Sequence, residues 1–210
     1  MDIMTPAMER DDSRYRGGAK RVQGLSARQA LSVLTYLKGK GNARDVLLWT
    51  LGITTGLRVS DLLGLTWDSF LDPDGEIATA ITVKETKTEQ TRTIEILELA
   101  RDALESFRNA YHPGPADTLF PGPSGASITR EQVRRLVKAW CSQCNLQGNF
   151  GTHTMRKTFA TVAYENSGGD PVATARVTGH KNPAQLMHYI GATSKTEKQI
   201  ASGMNGAFRG

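Results

Sequence analysis

The chain has 210 residues, 26 Lys plus Arg against 21 Asp plus Glu, and two Cys. A chain of that length removes roughly 70% of its surface from water on folding, so it can hold a core without disulfides or metals. Two cysteines exclude a disulfide-rich secreted scaffold, no run nears the ~18 apolar residues of a membrane span, and the net charge of +5 permits nucleic-acid binding without requiring it.

The N-terminus MDIMTPAMERDDSRYRGGAKR is polar and has no apolar signal core, so the expected location is soluble, reducing and cytoplasmic. Residues 1–23 mix charges with Gly17-Gly18 and lack periodicity, which predicts a flexible tail. Its Arg10, Arg14, Arg16, Lys20 and Arg21 suit phosphates, but Glu9, Asp11 and Asp12 dilute them. Residues 24–210 show no repeat and no internal boundary and read as one domain.

Ser26 and Gln29 form a capping-box signature that opens a helix carrying Leu31, Val33, Leu34 and Leu37 and ending near Gly39-Lys40-Gly41. A second helix runs over about 43–54, Gly56 breaks it, and a shorter one follows through 60–65. The pattern then changes. Asp72-Pro73-Asp74-Gly75 signals a turn, and Ile77, Ile81 and Val83 followed by Thr91, Thr93 and Ile94 predict a small antiparallel sheet whose turn holds Lys87-Thr88-Glu89-Gln90. Helical patterning returns over 96–111, and a Pro/Gly loop covers 113–125. A further helix spans about 129–145, three short ones lie near 153–166, 170–178 and 183–190, and 195–208 suits a last short helix. The expected class is α+β, mostly helical, with one small antiparallel sheet.

Four clusters carry chemistry. In Thr54-Thr55-Gly56-Leu57-Arg58-Val59-Ser60-Asp61 a glycine turn delivers an Arg to a helix start between apolar segments. Arg58 either serves a site there or pairs with Asp61 on its own helix. Lys87 sits in the hairpin turn, where a single Lys is commonly just solvated. His153 and Arg156 in Gly151-Thr152-His153-Thr154-Met155-Arg156 are three apart and share a helix face, a titratable imidazole beside a permanent cation. Gly179-His180-Lys181-Asn182 precedes Met187-His188-Tyr189-Ile190, and Tyr189 alone reads as an ordinary half-buried helix residue. Together the series is suited to a phosphodiester without a metal. Two guanidiniums fork onto the non-bridging oxygens, a Tyr supplies a nucleophile that needs a base, and a Lys supplies the leaving oxygen with a proton.

At these residues the chain resembles the tyrosine recombinases, or phage-type integrases. The motifs are TGLRVSDLLGLTW with Arg58, KTEQTRTIEI with Lys87, HTMRKTFAT with His153 and Arg156, and GHKNPAQLMHYIG with His180 and Tyr189, and they cover roughly residues 25–192. The resemblance implies the catalytic domain of that family and an Arg–Lys–His–Arg–His–Tyr site. Tyr189 attacks the scissile phosphate to form a 3′-phosphotyrosyl link, and Arg58 and Arg156 hold the phosphate. His153 is acid/base, His180 donates a hydrogen bond to the phosphate, and Lys87 protonates the leaving 5′-oxygen. It implies double-stranded DNA as partner, a tetramer of the chain in the synaptic complex, accessory DNA-bending proteins in some members, and neither cofactor, metal, ATP nor membrane. Asp61 stands where the family has Glu, and Lys157 where many members carry His. Most members also bear an N-terminal DNA-clamping domain, whereas only about 24 residues precede this one; small fimbrial-switch invertases are similar in size.

Helix 129–145 places Arg130, Arg134 and Lys138 at i, i+4 and i+8, flanked by Arg135, with Val133, Leu136, Val137 and Trp140 opposite. These, with Lys181 beside His180, are the expected DNA contacts. Cys141 and Cys144 make a lone CxxC inside a helix and read as packing residues, as do Trp49, Trp67 and Phe159. Two other readings share the residues: a topoisomerase-like nicking and closing enzyme, and a non-catalytic DNA-binding accessory protein. Ile200, Met204 and Phe208 form an apolar stripe suited to a neighbouring subunit or to the chain's own core.

Overall fold

The structure, a computed structural model, describes residues 22–191 apart from position 88. The expected tail through residue 21, the last short helix and the Ile200, Met204, Phe208 stripe lie outside those residues.

Helix α1 (Ala27–Lys40) opens on the expected box: the Gln29 N–H donates to Ser26 Oγ, and the Ser26 N–H donates to Gln29 Oε1 at 3.0 Å. Gly41 ends it at φ 69°, the left-handed cap that a side chain resists. Helix α2 (Ala43–Thr54) is apolar almost all round, and such a helix belongs in the centre. Leu47, Leu48, Trp49 and Leu51 are fully buried, and α2 touches α1, α4 (Glu98–Tyr111) and α6 (Thr152–Asn166). Trp49 donates its indole N–H to the Ala30 carbonyl at 3.0 Å and meets Trp140 edge to face at 5.9 Å.

Helix α3 (Val59–Leu63) follows the Gly56 turn. The connection after it holds a 3-10 turn, Trp67–Phe70, which drops Trp67 and Phe70 into the core. Strands β1 (Ala80–Lys84) and β2 (Thr91–Glu95) pair antiparallel with Ile81 opposite Ile94, and their inner face is Ile81, Val83 and Ile94. Ile77 is outside the hairpin, in an isolated bridge with Leu71. Helix α5 (Arg130–Gln143) buries Val133, Val137, Trp140 and Cys141, and Leu136 is partly buried beside them. Cys141 and Cys144 are unpaired, and burial pushes the Cys141 thiol up to about 12, as packing residues require.

Helices α7 (Pro171–Thr178) and α8 (Pro183–Ile190) each start with Pro after an Asp or Asn cap, Asp170 and Asn182, a pre-organised helix entry. With α6 they enclose a second, small cluster: Ala160, Ala175 and Leu186, with Tyr189 and Ile190 against it. Trp49 and Trp67 are core residues as expected, whereas Phe159 is only half-buried. Its ring lies over Gly56, where a Cβ would come within 2.1 Å of it. No described helix is long and apolar enough to cross a membrane.

Candidate active site

Three separate stretches of backbone converge on one buried carboxylate. Gly56, at φ 63°, turns the chain out of α2 so that Arg58 stands at the N-cap of α3 with extended backbone and its side chain directed to the end of β1. There the alternation that buries Ile81 and Val83 also buries Glu85, which is fully enclosed. Glu85 Oε2 accepts from Arg58 Nη1, and Glu85 Oε1 accepts from Arg92 Nη1 at 2.8 Å and lies 3.6 Å from Arg156 Nη1. Arg58 therefore does not depend on its helix neighbour: Asp61 Oδ2 is 3.9 Å away. Asp61 instead uses Oδ1 to accept the Thr86 N–H at 3.1 Å, which ties α3 to the hairpin turn carrying Lys87.

Arg156 is buried on α6 and is fixed by backbone as well as charge. Nη1 donates to the Gly56 carbonyl at 2.6 Å and Nη2 to the Thr178 carbonyl at 2.8 Å. Arg92 reaches the same helix end through the Val177 carbonyl at 2.6 Å. Gly179 sits over this pair at φ 66°; a Cβ there would be 3.1 Å from Arg92 and 3.3 Å from Glu85. The result is a cradle in which three guanidiniums face two carboxylates. Excess positive charge remains in a partly dry setting, the condition for binding an anion.

One cleft of about 350 Å³ is lined by all six of the residues expected to be catalytic, Arg58, Lys87, His153, Arg156, His180 and Tyr189, together with Lys181. Arg130 joins Arg58, Lys87, His153 and Arg156 in an adjoining cleft of about 180 Å³. The Tyr189 hydroxyl is 3.4 Å from His153 Nδ1, its ring packs at 4.9 Å from that of His180, and Lys157 Nζ stands 5.1 Å over it. Burial pushes the Tyr189 phenol up to about 12, while Arg156 and Arg58 pull the other way. His153 keeps an exposed edge, yet loss of water, then Arg130, Arg156, Lys157 and Arg58, hold its imidazolium below the usual range. His180 is held down at about 4, by loss of water first and then by Arg156, Arg58 and Arg92. Both imidazoles are thus neutral near pH 7.

The basic face of α5 is more divided than its spacing suggests. Glu131 accepts a fork from Arg134, at 2.7 Å from Nε and 2.6 Å from Nη2, and a further bond from Arg135 at 3.3 Å. Arg134 lowers the Glu131 carboxyl to about 2. Arg130 is exposed beside the active cleft, and Lys138 is exposed farther along the helix, lining a separate hollow with Ser142 and Asn145. Among the described residues no cluster of His, Cys, Asp or Glu is arranged to hold a metal ion.

Sequence reasoning missed Glu85 and Arg92. The signal was present: Ile81, Val83 and Glu85 continue one alternation, so Glu85 falls on the inner face, where a carboxylate needs cations.

Residues 23–196 match the phage integrase family. The probable integrase/recombinase YoeC of Bacillus subtilis is 32% identical over 171 residues, 79% of this chain and 87% of that protein. The tyrosine recombinase XerC of Mesorhizobium japonicum is 30% identical over 176 residues, 82% of this chain but 55% of its own length, so the chain spans about half of that relative. In structure, the Tn1549 transposon integrase in complex with transposon right end DNA superposes with a TM-score of 0.63 at 26% identity, over 87% of this chain and 65% of that one. With the match across nearly all the described residues and the motifs gathered at one cleft, the chain belongs to the phage integrase family of tyrosine recombinases.

Proposed function

We propose that the chain is a site-specific DNA recombinase that cleaves and rejoins strands through a 3′-phosphotyrosyl bond at Tyr189. The observation that carries this reading is the meeting of all six residues in one cleft, with the Tyr189 hydroxyl 3.4 Å from His153 Nδ1. The related integrase whose structure holds transposon DNA supports double-stranded DNA as the partner. Arg130 and Lys181, at the cleft, are the nearest candidates for phosphate contacts; Arg134 and Lys138 extend that surface along α5. A tetramer on two DNA sites is the assembly this chemistry serves.

In the forward step Tyr189 Oη bonds to phosphorus and the P–O5′ bond breaks. The phenol proton passes to His153 Nδ1, whose ring then carries its own hydrogen on Nε2, and Lys87 gives a proton to the departing 5′-oxygen. Arg58 and Arg156 take the charge that grows on the non-bridging oxygens, and His180 hydrogen-bonds one of them. The order of events follows from the acidities. With burial pushing the phenol up to about 12 and loss of water and nearby cations holding the imidazolium below its ordinary range, full proton transfer before attack is steeply uphill. The proton therefore leaves as the phosphorus bond forms, when the guanidiniums are already compensating the charge. Rejoining reverses each transfer, and the phosphotyrosine conserves the bond, so neither a nucleotide nor a metal enters the scheme.

The test is covalent capture. Protein mixed with nicked, fragmented DNA is denatured and the attached DNA sequenced, with Tyr189→Phe in parallel. Attachment lost only in the variant is expected and also reveals the target; attachment unchanged in the variant overturns the assignment. Exchange between two recovered sites, rather than relaxation of one supercoiled plasmid, separates a recombinase from a nicking and closing enzyme.

A further inference from the structure

His180 carries a constraint that the reaction scheme does not use. It follows Gly179, the left-handed cap of α7, and its Nδ1 lies 2.6 Å from Thr178 Oγ1 at the end of that helix. The same hydroxyl oxygen lies 2.7 Å from the Thr174 carbonyl oxygen and 3.4 Å from that of Ala175. Thr178 is fully buried, so solvent does not reach this contact.

A hydroxyl has one proton to give. Given to Nδ1, it leaves Oγ1 and the Thr174 oxygen facing each other at 2.7 Å with no proton between them. Given to the carbonyl, it requires Nδ1 to carry its own hydrogen and donate to Oγ1, and both short contacts then hold one proton each. We infer that Thr178 holds His180 in its Nδ1–H tautomer, so that Nε2, the nitrogen left for the cleft, is a hydrogen-bond acceptor in the free protein. The ring donates to a phosphate oxygen only after gaining a second proton.

The surrounding groups govern that uptake. Arg156 from α6, Arg58 ahead of α3 and Arg92 from β2 oppose the proton, Glu85 after β1 favours it, and Tyr189 from α8 lies against the ring. An arriving phosphodiester adds negative charge at the ring and favours the imidazolium. Phosphate engagement and proton uptake are thereby one event. Thr178 is a positioning residue, acting through His180. Its consequence for cleavage rests on the proposed phosphodiester chemistry; the tautomer does not.

The chain has four histidines, His112, His153, His180 and His188, few enough to resolve by long-range proton–nitrogen correlation on the histidine-labelled full chain at pH 7, with His180→Gln assigning the signals. Expected are a pyrrole-like Nδ1 and a pyridine-like Nε2 in the wild type and in Thr178→Ser, and the inverse in Thr178→Val, which keeps the shape but removes the acceptor. A pyrrole-like Nε2 in the wild type, or an unchanged pattern in Thr178→Val, overturns the inference. Should the valine variant not fold, the wild type and the serine variant still decide it. In the capture assay, wild-type attachment is expected to fall as pH rises and the required proton is lost, and Thr178→Val to lose that dependence; coincident profiles overturn the proton-uptake step. No attachment by either protein at any pH counts against the recombinase reading instead, and the spectra decide the tautomer independently.

Discussion

The cation cradle and helix α8, which carries Tyr189, meet in one cleft but are built differently. The cradle is anchored in the main core. Glu85 is fully buried, Arg156 is 4% exposed, and each guanidinium is held by a second element as well as its own. Among the described residues helix α8 is packed more lightly: Leu186 is its one fully enclosed side chain, and the cluster it enters has Ala160 and Ala175 as its other buried members. Charge stabilisation gains from groups fixed before the reaction, since they cost no reorganisation when charge develops. On the proposed chemistry Tyr189 must bond to DNA and later release it, the opposite requirement, which a lightly packed helix suits.

The largest break in that comparison is Tyr189→Phe, expected to abolish covalent attachment while leaving the thermal midpoint and DNA binding unchanged, because the hydroxyl touches only the cleft. Glu85→Gln strikes the stiff side. Removing the buried charge leaves guanidiniums facing one another, and the loss expected is about 3–5 kcal/mol, read by denaturant unfolding. Two truncations then sharpen the contrast. Leu104→Ala in the main core is expected to lower global stability by about 2–5 kcal/mol, whereas Leu186→Ala is expected to raise amide exchange in α7 and α8 and leave α2 protected. Equal protection of α2 and α8 in the wild type would erase the distinction.

A smaller effect appears in acid. His180 titrates near 6.5 unfolded and at about 4 folded, so above pH 6.5 neither state binds the proton and no stability is at stake. As pH falls from 6.5 towards 4 only the unfolded chain takes it up, and stability drops by at most about 3 kcal/mol; below 4 the loss is complete. His180→Gln should flatten that part of the unfolding profile between pH 7 and 4. The smallest effect belongs to Glu131→Gln, which releases the Arg134 fork and should steepen the salt dependence of DNA binding by about one unit of slope.

Local signals made most of the fold legible. The Ser26–Gln29 box, the Gly breaks and the apolar periodicity depend on neighbours a few residues apart, and all eight described helices fall near where those signals put them. The 3-10 turn at Trp67–Phe70 was missed because four residues hold too little pattern to separate it from a loop. Arg58, Lys87, His153, Arg156, His180 and Tyr189 were legible as residue types in order. Their partners were not: Glu85 pairs with Arg58 and lies near Arg156, 27 and 71 positions away, and Glu131 was overlooked among the arginines it binds. Pairing across such separations is a property of the folded chain, and only the alternation through Ile81 and Val83 hinted at the first of these.

The bond from the Thr86 N–H to Asp61 bears on Lys87 next door, the general acid of the proposed reaction. Lys87 is one residue beyond a point pinned to α3, and Glu85 before it is pinned by arginines. The backbone leading into Lys87 is therefore anchored at both of the residues that precede it. In the proposed reaction such anchoring would give the lysine a high effective molarity at the 5′-oxygen, with part of the ordering entropy already lost on folding. On the proposed chemistry the brace would contribute to rate without touching DNA: a short carboxylate on α3 holds the backbone one residue before the lysine.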